Sequence, residues 1–384
     1  MKFLHLSDLH IGKSVNGFSM LEEQRHAFRQ ILGYIEAERP DAAVVAGDVY
    51  DRAVPGVEAV RLFDDFLTEL SGASVSLLLV SGNHDSPERL NYASRLLSDK
   101  NIYICGAFDG ELKSVALPDE YGEVRFWLLP FIKPSSARAF FGGRGVESYD
   151  DALSAALQSA NIDYAARNVL IAHQFFTPAR AQPLRSESEL SPAGGIDAVS
   201  AELISRFDYA ALGHLHGAQS VGADNLRYAG SPVKYSLSER RQEKSVTLAE
   251  LRKKGDLTFA KLPLTPIHDM REIKGELDKL TSREISELAD KEDYLRVILT
   301  DERELADPMG RLRSVYPNVM ALDFENSRTR ADISETAGGR EQAEALSPYD
   351  LFSEFFLEVS GAAMSAEQAE IARELLESAA EAAE

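Results

Sequence analysis

The sequence predicts an α/β layered fold followed by a small α+β second domain, and three observations carry that expectation. Short apolar runs alternate with stretches of helical periodicity through the first hundred residues. Five such runs each lead within three residues to Asp, Asn or His. After about residue 265 prolines interrupt the pattern and a shorter alternation begins.

Residues 2–6 (KFLHL) read as a buried strand ending at Ser7-Asp8, and 42–46 (AAVVA) as a second ending at Gly47-Asp48. Residues 75–80 (VSLLLV) end at Ser81-Gly82-Asn83-His84, 168–172 (NVLIA) at His173, and 208–212 (DYAAL) at Gly213-His214. Between the first three lie helices at 20–39, with Leu21, Phe28, Ile31, Leu32 and Ile35 at helical spacing, and at 56–70, with Val57, Val60, Leu62, Phe63, Phe66, Leu67 and Leu70. Residues 1–265 form the first domain on this reading. A second, 266–333, holds a charged helical stretch at 267–293, a strand at 294–300, a helix at 303–315 and a strand at 319–324. A linker is placed at 334–347, around Gly338-Gly339. The tail, 348–384, reads as two helices broken at Ser360-Gly361. Ser347 caps the first and Pro348 opens it, and its apolar face is Tyr349, Leu351, Phe352, Phe355, Phe356 and Val359.

In open α/β folds ligands bind at the carboxyl ends of strands, so five polar strand ends imply one site. The set is Asp8-x-His10, Gly47-Asp48, Gly82-Asn83-His84-Asp85, His173 and Gly213-His214-x-His216. Imidazole and carboxylate are the donors that divalent transition metals take, and a shared site for two of them needs a bridging carboxylate. A lone strand-end Asp is usually a turn residue, and a lone His is usually structural. Here five of eight histidines sit in these motifs. His5, His26 and His268 fall outside and are expected to be structural. Asp85 has two readings that stay open, a carboxylate orienting a ligand imidazole or a cap on the helix opened by Ser86-Pro87.

The net charge of −21 argues against a broad basic face for nucleic acid. Residues 335–384 hold twelve acidic and two basic residues, so about half of the excess lies there. Residues 266–333 hold sixteen acidic and eleven basic. One cysteine, Cys105, leaves no intrachain disulfide. No stretch has the signature of a signal peptide or a membrane span, so a soluble cytoplasmic protein is expected.

The five segments resemble the calcineurin-like metallophosphoesterase signature in its order. A narrower resemblance, to the bacterial SbcD family of nuclease subunits, runs through 5–12 (HLSDLHIG), 47–51 (GDVYD), 82–90 (GNHDSPERL), 208–216 (DYAALGHLH), 228–239 (YAGSPVKYSLSE) and 244–246 (KSV), and continues into the small domain and tail. The resemblance implies a four-layer β-sandwich flanked by helices. It implies one metal held by Asp8, His10, Asp48 and His216 and a second by Asp48, Asn83, His173 and His214, with Asp48 bridging and manganese favoured. His84 would contact phosphate and assist the leaving group. Asp51 departs from archaeal and eukaryotic members, which carry His there, and matches many bacterial ones.

The resemblance further implies DNA as substrate, with ATP-dependent double-strand 3′–5′ exonuclease and single-strand endonuclease activity in repair, recombination and replication. The partner would be an SbcC-type ABC ATPase docked by the tail, around a nuclease homodimer formed through helices near 56–70 and 87–98, with 266–333 capping the site. DNA contacts would come from residues such as Arg271, Lys274, Arg311 or Arg313. Superfamily membership alone also allows action on small phosphodiesters or phosphomonoesters.

Overall fold

The computed structural model describes residues 1–141, 145–178, 183–186, 189, 198–327 and scattered positions between 352 and 372. The expected linker at 334–347 and most of the expected tail helices lie outside the described residues. The chain forms two compact units. The first takes Met1–Glu272, Glu287–Arg296 and Arg313–Ala321, and the second Ile273–Ser286, Val297–Leu312 and Leu322–Glu384.

Within the first unit the chain builds one sheet, crosses to a second and returns. It lays down β1 (Lys2–Leu6), α1 (Leu21–Glu38), β2 (Ala42–Ala46), α2 (Val57–Gly72), β3 (Ser76–Val80) and β4 (Ile102–Cys105). It then forms β5 (Lys113–Asp119), β6 (Gly122–Leu129), α3 (Tyr149–Gln158), β7 (Arg167–His173), β8 (Tyr209–Gly213), β9 (Gln219–Val221) and β10 (Ala223–Tyr228). It comes back with β11 (Ser245–Leu251) and β12 (Leu257–Pro263). The first sheet runs β12-β11-β1-β2-β3-β4 and the second β9-β10-β8-β7-β6-β5. β1 through β4 are parallel to one another, as are β6, β7, β8 and β10.

Alternation of side chains across each strand makes four layers. Phe3, Val44, Leu78, Phe126, Val169, Ile171 and Tyr209 meet between the sheets. The opposite faces of β1–β3 pack on Phe28, Ile31, Phe63 and Phe66 of α1 and α2. The outer face of the second sheet covers Ala152, Leu153 and Ala156 of α3. The central strands are buried on both sides, which is why they read as continuous apolar runs. His5 lies between the sheets, bonded through Nδ1 to the Tyr209 hydroxyl (2.9 Å) and through Nε2 to the Leu212 carbonyl (3.2 Å). Burial pushes it down to about 3, so it is neutral and structural, as expected.

A charged clasp joins the rim. Arg167, at the start of β7, donates to both oxygens of Asp119 (2.9 and 2.6 Å) at the end of β5 and to the Leu251 carbonyl (3.3 Å) of β11. The Arg167 hydrogen bonds hold the Asp119 carboxyl below the usual carboxylate range. A depressed folded pKa stabilises above the unfolded value, about 3.9, and the contribution is lost as pH falls through the folded value. Asp119→Asn should therefore lower the melting temperature at pH 7 by roughly 2–4 °C. The gap to wild type should narrow steadily in melts run below about pH 4; a gap constant down to pH 2 would refute the assignment.

The last strands are β13 (Met270–Gly275), β14 (Tyr294–Leu299) and β15 (Val319–Phe324), in that sheet order. They correct the expectation from sequence. Residues 270–275 are a strand, not part of a charged helix, and only one-turn helices follow at Leu277–Leu280 and Arg283–Ser286. The charges that suggested a solvated helical face are spent on ion pairs, Arg271 with Asp293 (2.5 Å) and Lys274 with Glu325. The helix expected at 303–315 shrinks to Pro308–Arg313, because Pro308 fits only a first turn. The helix expected at 87–98 is two single turns, Pro87–Leu90 and Ser94–Leu97, parted by Ala93 at φ +59°.

Candidate metal centre

Five strand ends of the first unit converge, and the loops beyond them hold the expected residues together. The loops after β1 and β2 keep pairing past the strands: Asp8 N–H donates to the Gly47 carbonyl (3.1 Å) and His10 N–H to the Asp48 carbonyl (2.9 Å). Both loops turn through left-handed backbone, with φ +52° at Asp8, +41° at His10 and +50° at Asp48. His214 lies at +113°. Such conformations cost about 1–3 kcal/mol each in non-glycine residues and persist only where surroundings hold them. Part of that hold is Gln24 on α1, whose side-chain amide is buried and donates to the Leu9 (3.2 Å) and His10 (2.7 Å) carbonyls.

The donors cluster around Asp48. Its Oδ2 is 3.5 Å from His10 Nε2 and 3.3 Å from His173 Nε2. On one side His10 Nε2 faces His216 Nε2 at 3.1 Å, and one donor atom each from Asp8, His10 and His216 lies within 4.8 Å of the others. On the other, Asn83 Oδ1 is 3.0 Å from His173 Nε2 and 3.2 Å from His214 Nδ1. All seven expected ligand residues are thus brought together. His84 joins them: its N–H donates to Asp48 Oδ1 (2.9 Å), and its ring meets that of His10 edge-on at 4.8 Å. Its Nδ1 donates to the Asp51 carbonyl at 3.0 Å.

Asp85 takes neither of its expected roles. Its carboxylate accepts the backbone N–H groups of Gly82 (2.9 Å), Val49 (3.1 Å) and Tyr50 (2.9 Å), touches no imidazole and leaves the short helix uncapped. It fastens the loop carrying Asn83 and His84 to the loop carrying Asp48. Three backbone donors outcompete a single imidazole for one carboxylate.

The electrostatics describe a site short of positive charge. Burial pushes the Asp8 carboxyl up. Burial acts the same way on Asp48, but His173, by charge and hydrogen bond, and His10 reverse it and hold Asp48 low. Burial opposes charge on His173, yet the Asp48 and Asp8 carboxylates push it up to about 9. His214, with burial dominant, is pushed down to about 3. His10 Nδ1 and His214 Nε2 are buried without a hydrogen-bond partner. Two facing imidazole nitrogens, buried carboxylates and unpaired ring nitrogens fit divalent metal ions. A divalent ion held through His173 would have to displace its proton. Affinity should therefore rise between pH 7 and 9, and titration calorimetry in buffers of different ionisation enthalpy should show proton release; identical heats would contradict it.

Sequence reasoning gave no role to Glu239, Lys244 or Glu189, which surround His216. His216 N–H donates to Glu189 Oε1 (2.7 Å), and its Nδ1 pairs with Glu239 Oε1 (3.1 Å). Glu239 pairs in turn with Lys244 (2.6 Å). The stretch 228–239 and Lys244 stood within the family resemblance, but no local spacing connects them to a histidine 23 residues earlier.

The calcineurin-like phosphoesterase family pattern matches residues 1–218, and that of the Type 5 capsule protein repressor C-terminal domain matches 266–360. The chain is 33% identical over 339 residues to SbcD, the D component of nuclease SbcCD, from Staphylococcus epidermidis, covering 87% of this chain and 88% of the relative. It is 32% identical over 336 residues to the protein of the same name in Staphylococcus saprophyticus, covering 85% and 87%. A solved dimetal phosphatase from Danio rerio aligns over 68% of this chain and 98% of its own at 11% identity, with a TM-score of only 0.36.

Proposed function

The chain belongs to the calcineurin-like phosphoesterases and, within them, to the SbcD family, and from that premise we propose that it is a two-metal DNA nuclease working with an SbcC-type ABC ATPase. The observation that carries the proposal is Asp48 Oδ2, set within 3.5 Å of His10 on one side and 3.3 Å of His173 on the other. Asp8, His10, Asp48 and His216 would hold one cation, and Asp48, Asn83, His173 and His214 the other, with Mn2+ the expected metal. Such a pair supplies ionised water near neutral pH and positive charge against the phosphoryl group.

His84 is the proposed catalytic side chain. A backbone carbonyl only accepts, so the bond to Asp51 fixes the proton on Nδ1. Nε2 then donates to a leaving oxygen only in the imidazolium form.

DNA binding by this chain alone should be weak. Its net charge is −21, and the cations expected to touch DNA are engaged: Arg271 by Asp293, Lys274 by Glu325, Arg311 by Asp278 and Arg313 by the Val319 carbonyl. The ATPase would supply much of the phosphate contact. Residues 1–265 would be the nuclease domain, 266–333 a cap and 348–384 the segment that docks the ATPase. A homodimer would form through α2 and the turns at 87–98, where Val57 (66% exposed), Tyr92 (83%) and Leu96 (75%) leave apolar surface in solvent. ATP-dependent 3′–5′ exonuclease and single-strand endonuclease action in DNA repair, recombination and replication follows from the same premise. Among the described residues no helix is long and apolar enough to cross a membrane. A cytoplasmic location follows from the SbcD-type premise, since DNA and the ATPase would be met there.

The acidity favours a second reading, a phosphoesterase for small esters. The test is Mn2+-dependent cleavage of a blocked-end DNA hairpin and of a nitrophenyl phosphodiester, with and without the cognate ATPase and ATP. Strong stimulation of DNA cleavage by ATPase and ATP is expected. Efficient cleavage of the small ester with DNA untouched throughout would replace the nuclease reading with the second.

A further inference from the structure

We infer that Glu239 and Lys244 form a buried relay that positions His216 and sets the metal affinity of the half-site formed by Asp8, His10 and His216. The inference rests on His216 being a ligand, as proposed above.

The need for a relay follows from the topology. His173 is the last residue of β7, so sheet hydrogen bonds fix its backbone, and its Nδ1 is anchored on the Ala46 carbonyl at 2.8 Å. His216 lies three residues beyond the end of β8, where no strand holds it. Lys244 and Glu239 grip it instead from two sides. Lys244 Nζ donates to the His216 carbonyl (2.9 Å), and Glu239 Oε1 accepts from His216 Nδ1 (3.1 Å). Lys244 Nζ also donates to Glu239 Oε2 (2.6 Å), Ser231 Oγ (2.8 Å) and Gln242 Oε1 (2.8 Å).

Both charges are out of water: Glu239 is 0% and Lys244 7% exposed. An ion pair this deep contributes little net stability, because desolvation offsets the attraction. Its geometry points to a different task. A carboxylate on Nδ1 fixes the tautomer and leaves the Nε2 lone pair toward His10. Lys244 cancels the added charge, so the half-site gains an oriented donor without gaining net negative charge from Glu239.

The test is Mn2+ titration by calorimetry on the full chain, with thermal melts alongside. Glu239→Gln keeps shape but loses charge, and should weaken one of two binding steps by about 10–100-fold while the other stays put. Lys244→Met strands a buried carboxylate and should lower the melting temperature sharply. The double variant Glu239→Gln/Lys244→Met removes both charges; it should recover the melting temperature yet keep the weakened step. Wild-type metal affinity at both steps in Glu239→Gln or in the double variant would overturn the relay and leave the metal centre standing. Absence of Mn2+ binding by the wild type would overturn both.

Discussion

Gly82→Ala will abolish Mn2+ binding at concentrations that saturate the wild type. A Cβ at residue 82 would lie 2.0 Å from Asp48 Oδ1, 2.4 Å from the Asp48 backbone nitrogen and 2.6 Å from Asp48 Cγ. Rotating the carboxylate away does not help, because the backbone nitrogen stays in place. One loop must move, and Asp85 bolts the two together through Gly82, Val49 and Tyr50. Overpacking of this kind costs about 1–3 kcal/mol, and the displacement falls on Asp48, the carboxylate that both proposed half-sites would share. The drop in affinity should exceed roughly 100-fold, with far-ultraviolet circular dichroism unchanged, since the packed layers lie away from the loop. Gly33→Ala is the control. Nothing lies within 4 Å of its Cβ on α1, so it should stabilise by about 0.5–1 kcal/mol and bind metal normally. Tight Mn2+ binding by Gly82→Ala would show that Asp48 does not hold the metals.

His84→Leu should behave in the opposite way, keeping both metals while turnover of DNA falls by roughly 100- to 10,000-fold, the usual worth of a positioned acid. The backbone N–H of residue 84 still donates to Asp48 Oδ1, so the substitution removes the imidazole without loosening the bridging carboxylate. Leucine has a similar volume, and His84 is only half-buried. Calorimetry should give wild-type metal constants beside the lost rate. A variant that cleaves DNA at the wild-type rate would remove His84 from the chemistry, and one that loses metal would make it a ligand.

The parts of the fold that make the site were legible for a physical reason. β1, β2, β3, β7 and β8 are buried on both faces, so their apolar runs are unbroken, and their ends were read to within a residue or so. β5 and β12 border solvent, and runs such as Lys113–Asp119 (KSVALPD) mix polar and apolar residues without marking a strand. β13 was misread because its charges are paired across the fold, and pairing between distant residues leaves no trace in local periodicity. The same limit hid Glu239. The proposed ligand residues follow strand ends and announce themselves by position, whereas a residue that would support one comes from wherever the chain happens to return. Asp85 shows the converse: its place between the Asn83-His84 pair and Ser86-Pro87 suggested an imidazole partner or a helix cap, and its bonds go to the backbone of the neighbouring loops.

Each proposed half-site draws donors from both sheets, Asp8, His10, Asp48 and Asn83 following strands of the first and His173, His214 and His216 strands of the second. The apolar layer between the sheets is strong but non-directional, and such a layer resists separation better than it resists sliding. Metal–ligand bonds have fixed lengths. A bound cation at either position would therefore act as a further rivet through the sandwich, adding to the His5–Tyr209 and Arg167–Leu251 hydrogen bonds that already cross between the sheets. Chelation would remove the ties of fixed length and leave the hydrogen-bonded ones, and the change in resistance to pulling along the strands would become a mechanical gauge of metal content.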